Sequence, residues 1–383
     1  KIAPKGIPSV ADFIKPSAGK HVGMFNIYEQ DDRYFMEVPD KFLGRDILVF
    51  ISLVKGSAQE ARSRNDMYGF GMPDATSEMR GAVEAASMMP LAAGFDVKAK
   101  TDSSVLVDIT DMYKSDHAYF SLKGAAEMLN LGAYQADKSY PTEISTFENN
   151  VIFRSVRSYA QGKAPKNNPK AKLNPTTWEV AASWYLLPEE PMRPRYYDDR
   201  VGYFAYGLTD YTKNPTKAER VYIVSRWRLE PKPEDMEKFK KGELVEPAKP
   251  IVFYVDRNTP AYLQPYVMAA VESWQPAFEQ VGFKNAIQAK LVPTPEEDPD
   301  FSIEDARYSV ISYKASPMPN AYGPHVADPR SGEIICSHVG LFHSVLSLVQ
   351  SWYFTQTAAV NPIARKFPYD NELTGKLIKY IVA

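Results

Sequence analysis

A single cysteine, Cys336, stands in 383 residues. No disulfide can form within the chain, which excludes the small stapled scaffolds that depend on them. One thiol also suits an exported bacterial protein, although many cytosolic proteins are as poor. No apolar run approaches the roughly 18 residues that a membrane-spanning helix needs. Charge of either sign is not in excess: the net value is −2, which gives no electrostatic reason to expect nucleic acid or an anionic membrane as partner. There is no Gly-rich phosphate loop and no Gly-x-Ser-x-Gly elbow. Cys336 follows Ile334 and Ile335, so it reads as a buried, inert thiol, not a nucleophile. The opening Lys1-Ile2-Ala3-Pro4-Lys5-Gly6 has neither an initiating Met nor an apolar signal core. It reads as a mature or trimmed chain.

What is present points to a soluble globular protein, with 44% hydrophobic and 24% charged residues. Tyrosine (24) and proline (30) are plentiful beside 20 glycines, a balance that favours short strands joined by proline-punctuated turns. At roughly 150 residues per domain the length suggests two or three domains. Met24 to Tyr28 and Arg33 to Val38 read as a hairpin, and Ile47 to Val54 as a buried strand. Together they make a small β unit over residues 1–58, too few strands to stand alone. From residue 59 to 230 the β signals continue in Ser104–Ile109, Glu143–Phe147, Asn150–Val156, Thr177–Val180 and Arg220–Val224. Ala118 to Asn130 is expected as a short helix, and Gly162 to Pro175, with four lysines and three prolines, as a solvated loop.

The stretch 231–250 carries four prolines among charged residues and reads as a linker. Beyond it the pattern changes to α/β. Ile251 to Val255 is a strand, and Val267, Ala270, Val271, Trp274, Phe278 and Val281 share one helical face. Pro276 should kink that helix, and Gly282 should stop it. Ile287–Val292 and Tyr308–Tyr313 follow as strands.

The five histidines are the natural candidates for metal or acid–base chemistry. His21 and His117 have no carboxylate–histidine spacing around them. His325, His338 and His343 fall close together, but His338 and His343 are five apart, about 140° around a helix, whereas ligand pairs on one helix need spacings of three or four. Ordinary structural roles are expected for all three. Glu189-Glu190 and Glu296-Glu297 flank prolines and read as solvated loops. Spacing alone assembles no complete active site, so no catalytic residue and no metal ligand is assigned within the chain.

Residues 250–383 resemble the opening of the catalytic domain of metzincin-type zinc metalloproteases, in a bacterial group with two uncharacterised β-rich domains ahead of the protease. The resemblance is carried by Pro250-Ile251-Val252-Phe253-Tyr254-Val255-Asp256 as a first strand, by Ala269 to Glu279 with Gly282 to Ile287 as a first helix and its exit, and by Asp305 to Ile311 as a central strand. Its sharpest part is Ala321-Tyr322-Gly323-Pro324-His325-Val326-Ala327, an edge strand followed by a turn at Asp328-Pro329-Arg330-Ser331-Gly332. Phe13-Ile14-Lys15-Pro16 with Gly19 to Phe25 and Leu43 to Asp46 is similar to the leading domain of that group. Ser139 to Glu143 and Arg154 to Tyr159 are similar to the middle one.

The resemblance implies a fold class of α+β: β-rich N-terminal domains, then the upper part of a metzincin-like α/β protease domain over 251–383. It implies a secreted zinc endopeptidase with a peptide or protein substrate, located in the periplasm, at the cell surface or outside the cell. The family's His-Glu-x-x-His, whose histidines share one helical face and a Zn²⁺, is missing from these 383 residues. The apolar face at 373, 377, 378, 381 and 382 runs to Ala383 without a stop signal. The expectation is a chain truncated just before that motif, itself inactive and without zinc, contributing substrate binding through Ala321, Tyr322, Gly323, Pro324, His325 and Val326 by strand addition. The alternative from another class is a non-catalytic surface β-domain that recognises protein or glycan.

Overall fold

A computed structural model describes residues 6–56, 69–70, 81–82, 93–164, 174–211, 214 and 216–383. Most of the loop expected over Gly162–Pro175, and the opening Lys1–Lys5, lie outside the described residues. The chain divides into two compact units. One comprises Lys1–Pro191 and Gly207–Arg220, the other Met192–Tyr206 and Val221–Ala383.

The first unit is β-rich. One antiparallel sheet runs in the order β1 (Gly19–His21), β2 (Asn26–Gln30), β3 (Arg33–Pro39), then β7 (Ser104–Asp108) and β6 (Val97–Lys100), the last two also a hairpin. The expected hairpin is β2–β3, turned by Asp31 and Asp32 at φ 52° and 60°, a left-handed conformation that aspartate tolerates better than most residues. A second antiparallel sheet has the order β4 (Ile47–Gly56), β10 (Thr176–Leu186), β9 (Asn150–Tyr159), β8 (Tyr140–Thr146). The short β5 (Gly69–Phe70) pairs in parallel with Leu208 and Thr209 of β11 (Ala205–Asp210). The strands of residues 1–58 are thus shared between two sheets, each completed by strands from after residue 96. Both sheets contribute to one core: Ile27, Met36 and Val107 from the first meet Val151, Phe153, Ala182 and Trp184 from the second.

Ala118–Asn130 is not the helix that its composition suggests; only a 3₁₀ turn forms there, at Lys123–Ala125. Phe120 and Leu122 are both buried, in different apolar clusters. Residues two apart point to different sides of a helix, but the irregular chain ahead of the 3₁₀ turn can seat each in its own pocket.

The second unit is built on a mixed sheet. After β12 (Glu219–Val224), strands β13 (Ile251–Val255), β14 (Ile287–Leu291), β15 (Ser309–Lys314), β16 (Ala321–Tyr322), β17 (His325–Ala327) and β18 (Ile334–Phe342) give the order β14-β13-β15-β18-β16. The strands β14, β13, β15 and β18 are parallel; β16 and β17 pair antiparallel with β18. Alternate residues of each strand (Phe253 and Val255, Ala289, Ile311 and Tyr313, Val339 and Leu341, Ala321) pack with the helices Gln264–Glu272, Val345–Thr357 and Asn371–Val382. The opposite face carries the clustered rings of Tyr254, Phe301 and Tyr308, with centroids 4.5–5.3 Å apart; Phe301 stacks on Tyr308 and Tyr254 meets Tyr308 edge-on.

The helix expected over 263–281 is broken at Trp274, as Pro276 requires, into Gln264–Glu272 and Gln275–Gln280, and Gly282 ends it at φ 96°. Residues 231–250, expected as a linker, form a short helix at Met236–Lys240 within this unit, and Phe239 and Val245 pack with Phe278 and Phe283. The last helix is capped by Asp370, whose carboxylate accepts from Leu373 N at 2.7 Å. Strand outweighs helix among the described residues, consistent with a β-rich α+β protein. Among the described residues, no helix is long and apolar enough to cross a membrane.

Candidate functional site: the edge strand of the second unit

The residues singled out by sequence, Ala321 to Val326, lie at the edge of the mixed sheet. Ala321 and Tyr322 form β16, His325 and Val326 begin β17, and Gly323-Pro324 joins them. The two short strands keep one register against β18: Ala321 faces Leu341, Tyr322 Gly340, His325 Ser337 and Val326 Cys336. The break is therefore local, at the proline.

This register fixes where the main chain points. Pro324 O accepts from His338 N at 3.2 Å and from Ser337 Oγ at 3.0 Å. In an antiparallel ladder, residues that bond to the partner alternate with residues whose N–H and C=O turn away from it. Because Pro324 faces β18, its neighbours Gly323 and His325 turn their N–H and C=O to the other side, where no strand pairs among the described residues. Ala321 shares that outward orientation, and its N–H is taken by Asn320 Oδ1 at 2.8 Å. The proline's missing N–H would have faced β18, so Pro324 costs one ladder bond and leaves the outer side intact. Sheet edges are normally blunted by lysine, by inward charges or by a proline that removes an outward donor. From Ala321 to Ala327 there is no charged Lys, Arg, Asp or Glu.

Side chains alternate along the same strand. Ala321, Gly323 and His325 lie on the helix face, where a Cβ added at Gly323 would meet nothing closer than Val339 Cγ2 at 3.9 Å. Tyr322, Pro324 and Val326 lie on the other face. The Tyr322 ring rests flat over Gly340, where a Cβ would come within 2.2 Å of it, and packs on Phe342 at 5.3 Å. It stays 43% exposed. His325 is partly buried, with the ring of Tyr206 edge-on at 6.4 Å, and burial holds its pKa below the ordinary 6.5.

The strand is anchored where it leaves the edge. Asp328, fully buried, accepts from Arg330 N and pairs with the Arg330 guanidinium at 2.7 Å, while its carbonyl accepts from Gly332 N at 2.7 Å. Gly332 has φ 74°, and a Cβ there would lie 2.1 Å from Val224 O. Arg226 N donates to Gly332 O, Ile334 N donates to Arg226 O, and Arg228 clasps Glu333 with two bonds at 2.9 and 2.6 Å. The expected turn at 328–332 is thus a closed, ion-paired corner.

The three clustered histidines do not converge. His325 and His338 lie on opposite faces of the sheet, by the alternation along β17 and β18. His343 sits past the far end of β18, its Nδ1 2.6 Å from Tyr313 OH. It is six positions along the chain from Ser337, the partner of His325, which is about 20 Å of extended chain. His338 is mostly enclosed, and burial lowers its pKa; its Nε2 has no partner among the described residues. No group of three His, Cys, Asp or Glu side chains among the described residues is arranged to hold a metal ion. The donor set described here does not fit a zinc centre. Cys336 is buried, and its thiol is pushed up to about 12 by that burial.

Sequence reasoning missed the helix Val345–Thr357 that backs this sheet, and the partners of the corner, Arg226 and Arg228, which arrive from about a hundred residues earlier. Residues 7–56 match the family model of a domain of unknown function, DUF5118, and residues 51–232 that of another, DUF5117. Neither match covers half of the chain, and both describe domains without an assigned activity. No curated protein and no solved structure matches the chain.

Proposed function

We propose that this chain is the substrate-binding part of an exported bacterial zinc-dependent endopeptidase, and that Ala321–Val326 receives the substrate as an added strand. The observation that carries the reading is the edge itself: an uncharged strand with no outer partner among the described residues, whose outward main-chain groups at Gly323 and His325 are aligned by one register from Ala321 to Val326. An extended peptide lying alongside would exchange up to four hydrogen bonds with these two residues. Each is worth about 0.5–1.5 kcal/mol net, so the main chain alone supports weak binding that side chains then sharpen. The strand order, with four parallel strands and one antiparallel edge backed by helices, supports the metzincin-like reading that Ile251–Val255, Asp305–Ile311 and Ala321–Gly332 suggested from sequence.

On this reading the zinc ligands and the general base lie beyond Ala383, and this chain's own residues bind and orient the substrate. The test is made on the polypeptide extended past Ala383 as its gene encodes it. Stoichiometric zinc together with chelator-sensitive cleavage of a mixed peptide library is the expected result. An extended polypeptide that cleaves nothing, or cleaves equally well after removal of metal, would overturn the proposal.

A further inference from the structure

The two faces of the edge strand are unequal, and the inequality selects among substrates. On the helix face the strand offers Ala321, Gly323 and His325. At Gly323 the only heavy atom within 4 Å of where a Cβ would be is Val339 Cγ2, at 3.9 Å. Val339 and Ala321 both belong to the apolar cluster of that face. On the other face the strand offers Tyr322, Pro324 and Val326, and Tyr322 already fills the space over Gly340.

We infer that the edge takes extended peptides with one bulky apolar side chain, aromatic above all, placed opposite Gly323. The inference rests on the strand-addition reading above. In a docked antiparallel strand, the residue facing Gly323 forms a hydrogen-bonded pair with it and projects to the helix face. A glycine in a sheet leaves its cross-strand neighbour uncovered backbone to lie on, and an aromatic ring opposite covers it. Here the ring also reaches Val339 and Ala321. The residues on either side of it in the peptide project to the opposite face, toward Tyr322 and Pro324, where the tyrosine ring limits the room. The preferred pattern is therefore a large apolar side chain flanked by small or β-branched ones. A carboxylate opposite Gly323 would be set against apolar Val339 and Ala321 with no cation from the strand to meet it.

Fluorescent capped heptapeptides, identical except for Phe, Leu, Ala or Asp at the centre, are titrated against the chain by fluorescence polarisation. A single large residue sets the register, because the peptide can slide until that residue lies opposite Gly323. Phe is expected to bind about tenfold tighter than Ala, with Leu between them and Asp weakest. Gly323→Val, at an exposed position without positive φ, should remove the Phe advantage while the Ala peptide still binds; Gly323→Ala should fall between. If all four peptides bind alike, or the ranking survives Gly323→Val in a folded variant, the selectivity inference fails and strand addition stands. If none binds, strand addition at this edge fails, and the inference with it.

Discussion

Replacing Arg157 tests whether the first unit is organised around one buried cation. Its side chain is fully buried in β9, yet no carboxylate among the described residues bonds to its guanidinium. Nε donates to Ser155 Oγ at 2.8 Å; Nη1 donates to Lys114 O at 3.2 Å, Ser115 O at 3.1 Å and Tyr134 OH at 2.9 Å; Nη2 donates to Tyr113 O. The three carbonyls come from the last turn of the helix Thr110–Lys114 and the residue after it, where the helix leaves its acceptors without intrahelical partners and a cation is favoured. Arg157→Met keeps the approximate volume but strips donors from three carbonyls. Each acceptor left unsatisfied costs about 1–3 kcal/mol. Relief from desolvating the guanidinium offsets part of this, so a net loss of about 3–5 kcal/mol is expected, typical of breaking a buried charged network. Arg157→Lys retains one donor direction of the fork and should recover less than half. Because the chain has two compact units, a single unfolding free energy is poorly defined. Hydrogen exchange of the amides in 104–115 and 150–159 reads the local opening energy directly. A loss below about 1 kcal/mol in Arg157→Met would refute the reasoning, since it would mean the carbonyls find other donors at no cost.

Three further outcomes are expected. Gly332→Ala forces a side chain onto φ 74° and within 2.1 Å of Val224 O, so it should destabilise the second unit by about 2 kcal/mol or more; an unchanged thermal midpoint would contradict the tight corner. Burial holds His325 and His338 below the ordinary 6.5. Their contribution is therefore fully present above 6.5 and is lost as pH falls from there through the lowered folded values, because the unfolded chain takes up protons first. The midpoint should drop between about pH 7.5 and about pH 5.5, and His338→Gln should flatten that drop; an identical slope in the variant would count against it. Cys336, with its thiol pushed up to about 12 by burial, should react with a disulfide reagent at about pH 8 at least about a hundredfold more slowly folded than in denaturant, and equal rates would show that it is accessible.

Much of the fold was legible where one physical signal dominated. Period-two runs marked the hairpin of β2 and β3, and Pro276 placed the break between Gln264–Glu272 and Gln275–Gln280. Where signals compete the sequence misleads. Ala118–Asn130 has the composition of a helix, but the separate burial of Phe120 and Leu122 overrides it. The helix Val345–Thr357 went unread because exposed Trp352 and Phe354 widen its apolar surface and leave only the narrow polar stripe of Ser347, Ser351 and Thr355. At the edge strand, the turn at 328–332 was visible in its residues, but the direction of the main chain was not. Which residues turn outward depends on register against β18, and a shift of one would exchange Gly323 for Pro324 and close the outer side.

The corner at Asp328–Gly332 also bears on the thermodynamics of docking. A loop that must order itself when a ligand arrives spends part of the interaction energy on its own loss of freedom. On the proposed strand addition, Ala321–Val326 would be a strand already held at both ends, by Asn320 Oδ1 on Ala321 N and by the pair of Arg228 with Glu333 beyond the turn. The ordering cost then falls almost wholly on the incoming peptide. A peptide stiffened into an extended form, by cyclisation or by β-branched residues, should gain affinity on this receiver chiefly through a smaller entropy loss, with little change in the enthalpy of binding.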